Sequence, residues 1–236
     1  AFYSRLNPFA VNVEMVSRFR SKKEVAGVQK KIMSGDNDVL VGTHTILNDD
    51  IFLNNMGLLI IDEEHRFGVK HKEGVRGHGS GVDVLSLSAT PIPRSLNLAL
   101  SGIYSISLLQ TPPRTRLPII TRVCAFDESL IRDVVVYEAT RGGQVYFVHN
   151  NTQDIGRVTD RLRGFFSHLS VEFIHGQEHS KQIEKKMGLF VSGKIHVLVC
   201  TSIIEAGIDV PNANSIIINN AHLFGLAQLY QIRGRV

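Results

Sequence analysis

No stretch of about eighteen consecutive apolar residues occurs in this 236-residue chain, so the sequence offers no membrane-spanning helix. Cysteine is almost absent. Cys124 and Cys200 stand apart in apolar runs with no CxxC pair, which excludes a disulfide framework and a zinc ribbon and predicts two buried thiols in a reducing compartment. The ten histidines show no metal-ligand spacing and no HExxH motif. Charge of one sign is not in excess either: residues 1–110 carry 12 basic and 11 acidic side chains, and residues 111–236 carry 14 and 11. Without a basic tail, any contact with nucleic acid has to come from individually placed groups rather than bulk charge. The opening residues, AFYSRLNPF, have neither an initiator Met nor an apolar signal core and read as an internal position in a longer protein.

What is present is a repeated alternation. Apolar, β-branched runs recur at 11–16, 38–43, 57–62 and 83–90, and Lys22 to Met33 between the first two has helical spacing. The stretch QTPPRTRLP at 110–118 has three prolines and no periodicity, so it reads as a linker. Beyond it the alternation restarts, with strands expected at 119–126, 143–150, 170–176, 195–201 and 215–220 and helices at 128–140, 153–166, 178–191 and 225–233. Continuous apolar strands separated by helices indicate parallel sheets covered on both faces. The fold class is therefore α/β, with two domains in series, residues 1–112 and 113–236. Open sheets of this kind bind ligands at the carboxyl ends of their strands.

At one such end the sequence does something unusual. GLLII at 57–61 runs directly into Asp62, Glu63, Glu64 and His65. A carboxylate at that position can hold a water-coordinated Mg²⁺, and its neighbour can orient and deprotonate an attacking water. A plain solvated strand end with a helix cap is the alternative reading. The next strand ends in SAT, with Ser88 and Thr90, and the pair DEEH and SAT resembles motifs II and III of the superfamily 2 helicases and translocases. VGTHTIL at 41–47 looks like the nucleic-acid-contacting motif that precedes them, VLVCTSIIEAGIDVPNANSIII at 197–218 like motif V, and QLYQIRGRV at 228–236 like the first part of motif VI. SRFRS, DEEHRFGVKHKE, SATPIPRSLNLALSG, HGQ and HLFGLAQLYQIRGRV are together similar to the bacterial transcription-repair coupling branch of that superfamily.

The resemblance implies two RecA-like domains in tandem, the first truncated at its N-terminus and the second within motif VI. It implies ATP and Mg²⁺ as cofactors, double-stranded DNA as the track, and a cytoplasmic motor that displaces stalled RNA polymerase in transcription-coupled repair. RNA polymerase and excision-repair proteins would be contacted through regions outside this chain. Asp62 would hold Mg²⁺ through water and Glu63 would activate the attacking water. Glu64, His65, Ser88 and Thr90 would relay the nucleotide state to DNA. Gly207, Asp209 and Arg233 would face the nucleotide, and Arg235 would supply charge to the transferring phosphoryl group from the opposite domain. Arg18, Thr43, His44, His175, Gln177 and Thr201 would contact DNA.

Each of these has a plainer reading. Thr43 and His44 suit a turn, Arg18 a solvated face, His175 and Gln177 a loop, Thr201 a helix cap, GIDVP a tight turn, and Arg235 a cation at a helix C-terminus. A branched-DNA, fork-regressing helicase and a non-catalytic nucleic-acid-binding remnant are the competing functions. The family's phosphate-binding loop, GxxxxGK[ST], is absent. GLFVSGKI at 188–195 approaches it, but Ile195 has no hydroxyl for a metal and the segment runs helix-to-strand, whereas a phosphate cradle runs strand-to-helix. It is expected to be a helix C-cap turn, and residues 1–236 alone are expected not to hydrolyse ATP.

Overall fold

The computed structural model describes residues 2–17, 20–43, 46, 56–63, 81–88, 105–111, 117–202 and 210–236. The chain divides into two compact units, Ala1–Ser107 and Leu108–Val236, a division that falls upstream of the expected 112/113 boundary.

In the first unit, a short helix α1 (Phe2–Leu6) leads into strand β1 (Val13–Val16), helix α2 (Lys22–Ser34) and strand β2 (Val39–Gly42). Helix α2 starts at Ser21, whose hydroxyl accepts from the Glu24 amide while the Glu24 carboxylate accepts from the Ser21 amide. That reciprocal cap satisfies two otherwise unpaired donors. The helix stops at Gly35, which takes the left-handed conformation (φ 79°). β1 and β2 pair in parallel from Val13 opposite Val39, and Val28 of α2 packs on Val16, Leu40 and Ile46. Strands β3 (Leu58–Ile61) and β4 (Asp83–Ser86) form a second parallel pair. Among the described residues the two pairs are separate sheets. Leu58, Ile60, Val84 and Leu85 are exposed and Leu59 is buried, so among the described residues the expected cover on both faces is not seen here. Side-by-side pairing joins strand edges; covering a face takes another packed element.

The second unit shows the expected parallel sheet with helices on both faces. Its sheet has the order β6-β7-β5-β8, with every pairing parallel, from β5 (Gln144–Val148), β6 (Val171–Ile174), β7 (Val197–Cys200) and β8 (Ala213–Ile218). The connecting helices are α3 (Glu128–Thr140), α4 (Ile155–Phe165), α5 (Ser180–Val191) and α6 (Leu226–Arg233). Along β5 and β7 the side chains alternate between two cores. Val145, Phe147, Val197 and Val199 join Ile131, Val135, Ile155 and Leu162 from α3 and α4. Tyr146, Val148, Leu198 and Cys200 join Met187, Phe190 and Ile232 from α5 and α6. A strand buried on both faces must be apolar at every position, which accounts for the unbroken runs in the sequence. The outer edge of β6 is closed by cations: the Val171 carbonyl accepts from Arg163 Nε at 3.0 Å and the Phe173 carbonyl from Lys186 Nζ at 2.8 Å. Occupied carbonyls and charge on an edge strand discourage pairing with another chain.

Two expectations are corrected. Residues 119–126 form no strand, and Cys124 is exposed rather than buried. Ile120 and Val123 are 96% and 92% exposed. A β-prone run becomes a strand only where a neighbour takes its backbone hydrogen bonds, and this one has no ladder partner among the described residues. Cys200 is buried as expected, and burial pushes its thiol well above the ordinary range. The GLFVSGKI segment is the end of α5 followed by Gly193 in the left-handed conformation (φ 76°), whose amide bonds to the Phe190 carbonyl at 2.9 Å. It is a helix-to-strand turn, and no phosphate cradle forms there.

Candidate nucleotide and nucleic-acid site

In the first unit, parallel pairing brings the ends of β3 and β4 to one edge. Ile61 is opposite Ser86, and the Leu87 amide bonds to the Ile61 carbonyl at 2.8 Å. Asp62 and Glu63 on one strand end and Ser88 on the other therefore share the carboxyl edge. Asp62 is exposed and Glu63 half-buried. Glu63 has φ 52°, a left-handed conformation that costs an L-residue about 1–2 kcal/mol and is often found at functional sites. A single open carboxylate suits a Mg²⁺ that keeps most of its waters and takes its remaining ligands from phosphates. Among the described residues no group of three or more His, Cys, Asp or Glu side chains could enclose a metal. Thr43 follows β2, its carbonyl accepting the Ile46 amide at 3.0 Å. Gly42 before it is required by space: a Cβ there would lie 2.5 Å from the Val16 carbonyl oxygen. Arg18, His44, Glu64, His65 and Thr90 lie outside the described residues.

In the second unit, the carboxyl edge gathers residues from four strands. After β6, the His175 ring stacks on Phe173 with centroids 5.9 Å apart and planes at 7°. Its Nδ1 accepts the Gln177 amide at 3.3 Å, and its own amide donates to Glu178 Oε1 at 3.2 Å. Lys186 holds the other oxygen of Glu178 at 2.8 Å. The HGQ loop is thus built from below by an ion pair, which fixes the direction of its backbone. Thr201, directly after β7, is 8% exposed. Arg233 ends α6 with its guanidinium 5.8 Å from the Tyr230 ring centroid. Arg235 lies past the helix end, its amide bonded to the Ile232 carbonyl at 3.1 Å. Gly207 and Asp209 lie outside the described residues.

One cluster was missed from sequence. His149 follows β5 and is 5% exposed. Its Nε2 is 2.7 Å from Asp154 Oδ1 and its Nδ1 is 3.0 Å from Asn219 Nδ2. A carboxylate only accepts, so Nε2 donates to Asp154, and the side-chain amide of Asn219 faces Nδ1. The hydrogen bond from His149 is the largest cause holding the Asp154 carboxyl below its ordinary range, with Arg157 adding a smaller pull. The signal was available: HNN follows the buried run QVYFV as DEEH follows GLLII, a polar cluster at the tip of a buried strand.

Comparison with known proteins defines the class. Residues 2–99 match the DEAD/DEAH box helicase family and residues 127–236 match the helicase conserved C-terminal domain. The chain belongs to the superfamily 2 helicases. More narrowly, it is similar over its whole length to the transcription-repair-coupling factors: 45% identical to that of Escherichia coli K12 across 100% of this chain, and 42% identical to that of Bacillus subtilis 168 across 98%. It spans 20% of the length of each. Among solved structures, RecG bound to a three-way DNA junction aligns with 99% of this chain and 31% of that one, at 33% identity and a TM-score of 0.74.

Proposed function

We propose that this chain is the motor portion of an ATP-driven double-stranded DNA translocase that acts in transcription-coupled repair by displacing stalled RNA polymerase. The observation that carries the reading is its 45% identity, over every part of the chain, to a transcription-repair-coupling factor. Bound Mg²⁺ and ATP would supply the reacting phosphoryl group and neutralise its charge. Asp62 would hold the metal through its water shell. Glu63 orients a water and takes its proton, while Arg235 offsets negative charge as the phosphoryl group transfers. Gly207, Asp209 and Arg233 bind the nucleotide. Glu64, His65, Ser88 and Thr90 couple its state to the DNA-contacting residues Arg18, Thr43, His44, His175, Gln177 and Thr201. These are hydroxyl, imidazole, amide and guanidinium groups suited to phosphate oxygens, so the grip is on the backbone and indifferent to base sequence. No described helix is long and apolar enough to cross a membrane, and we place the motor in the cytoplasm. Residues 1–236 lack a strand-to-helix GxxxxGK[ST] loop and alone do not turn over ATP.

The likeness to RecG on a three-way junction supports fork regression as the second reading. One experiment separates the two. The full-length protein is given a polymerase stalled on duplex DNA and, separately, a model replication fork. ATP-dependent release of the transcript supports the coupling-factor reading; fork regression without transcript release supports the other.

A further inference from the structure

The His149 cluster is absorbed by none of the roles above, yet it lies on the edge that carries Thr201. Three hydrogen bonds converge on this residue. Its amide donates to the Cys200 carbonyl at 2.8 Å, at the end of β7. Its Nε2–H donates to Asp154, the residue before α4. Its Nδ1 bonds to the side-chain amide of Asn219, directly after β8. The loop between β5 and α4 is six residues, HNNTQD at 149–154, and the His149–Asp154 bond joins its first residue to its last. Within it, the Asn151 side-chain oxygen accepts the Gln153 amide at 2.9 Å, and Asn150 and Asn151 are left exposed at the tip.

Stability alone does not explain a buried imidazole here. Val145 to Val148 immediately before it fill the two cores with apolar side chains. A polar pair whose carboxylate is still 29% exposed contributes little to stability. What a fully satisfied buried network does provide is one fixed arrangement of the segments it joins. The segments joined are the ends of three adjacent strands, β7, β5 and β8, and Thr201 is the next residue after the Cys200 carbonyl that receives the His149 amide.

We propose that His149 is a positioning residue: its imidazole ties the end of the β5–α4 loop and the end of β8 to the residue whose backbone amide is bonded to the end of β7, and so holds the loop amides beside Thr201 in the arrangement that grips the DNA backbone. This rests on the reading of the chain as a DNA motor. It adds a residue through which that grip is set.

The test uses the full-length protein with duplex DNA of mixed sequence and compares His149→Ala with His149→Gln. Glutamine keeps an N–H donor near the place of Nε2; alanine keeps none. For His149→Ala the KM for DNA in stimulated ATP turnover should rise by about tenfold or more, the loss expected for one charge-assisted hydrogen bond, and that rise should exceed the fall in kcat. His149→Gln should recover most of the wild-type KM. Hydrogen exchange gives a second readout that needs no DNA: peptides covering 149–155 and 216–224 should exchange about tenfold faster in the alanine variant and regain protection with glutamine. Loss of kcat matching or exceeding the rise in KM overturns the proposal, as does failure of glutamine to recover KM, or unchanged exchange in both peptides. If the wild-type protein shows no DNA stimulation, the motor reading fails by itself, and the exchange comparison still decides whether His149 ties the loops.

Discussion

Replacing Glu63 by glycine should raise stability and abolish function together. At φ 52° a glutamate sits in the left-handed region, at a cost of about 1–2 kcal/mol. Glycine adopts that region freely but loses about 0.5–1 kcal/mol through the greater freedom of its unfolded chain. The net expectation for Glu63→Gly is a gain of about 0–1.5 kcal/mol. Glu63→Gln keeps the strain and the shape but has no basicity, so its stability should stay within about 1 kcal/mol of the wild type, as for a half-buried polar exchange. Both variants should lose about 10²–10⁴-fold in DNA-stimulated ATP turnover, the range for removal of a general base. The assay pairs chemical denaturation with phosphate release on the full-length protein. A destabilised glycine variant would refute the strain argument. Turnover in Glu63→Gln reduced by less than about tenfold would refute the assignment of the base.

Arg235→Ala should cut turnover in the full-length protein by at least about a hundredfold with little change in melting temperature; near-normal turnover with a lower melting temperature would mark it as a cation serving the α6 terminus, worth about 0.3–1 kcal/mol. Gly143→Ala should cost about 2–3 kcal/mol by denaturation, because its Cβ would lie 2.2 Å from Glu138 Oε2. That carboxylate is 1% exposed, held by Arg141 at 2.7 and 2.8 Å and by the Ser215 hydroxyl, so it has nowhere to retreat. Asp127 caps α3 by accepting from Ser129 and Leu130, and the Ser129 hydroxyl is the largest cause holding its carboxyl below the usual range. Its contribution is therefore present above the unfolded value of about 3.9 and lost as pH falls through the lower folded value. Asp127→Ala should lower stability at pH 7 and lower it progressively less under acid, read as the difference between two denaturation curves.

Where burial dictated composition, the sequence was readable. The helix expected at 128–140 is α3 residue for residue, since Asp127 marks its start and the apolar positions repeat every turn. β5 and β7, covered on both faces, announced themselves as unbroken apolar runs. The run at 119–126 had the same composition and no ladder partner, and composition does not report a neighbour. Asp62 and Glu63 stood out because carboxylates at the tip of an apolar strand demand a reason; the left-handed backbone at Glu63 did not, because a glutamate, unlike glycine or asparagine, gives no sign of that conformation in a sequence. His149 was missed because its partners Asp154 and Asn219 are 5 and 70 residues away. The second of these meets it only through the β5–β8 pairing, which no local pattern encodes.

The central claim, that this chain drives movement along duplex DNA, is tested most directly by displacement of a third strand bound in the major groove at a distance from the loading site. The full-length protein should release that strand in an ATP-dependent manner, after a lag that lengthens with the duplex to be crossed, and Glu63→Gln should release none. ATP hydrolysis stimulated by DNA without any strand release, or release requiring a single-stranded track, would contradict it.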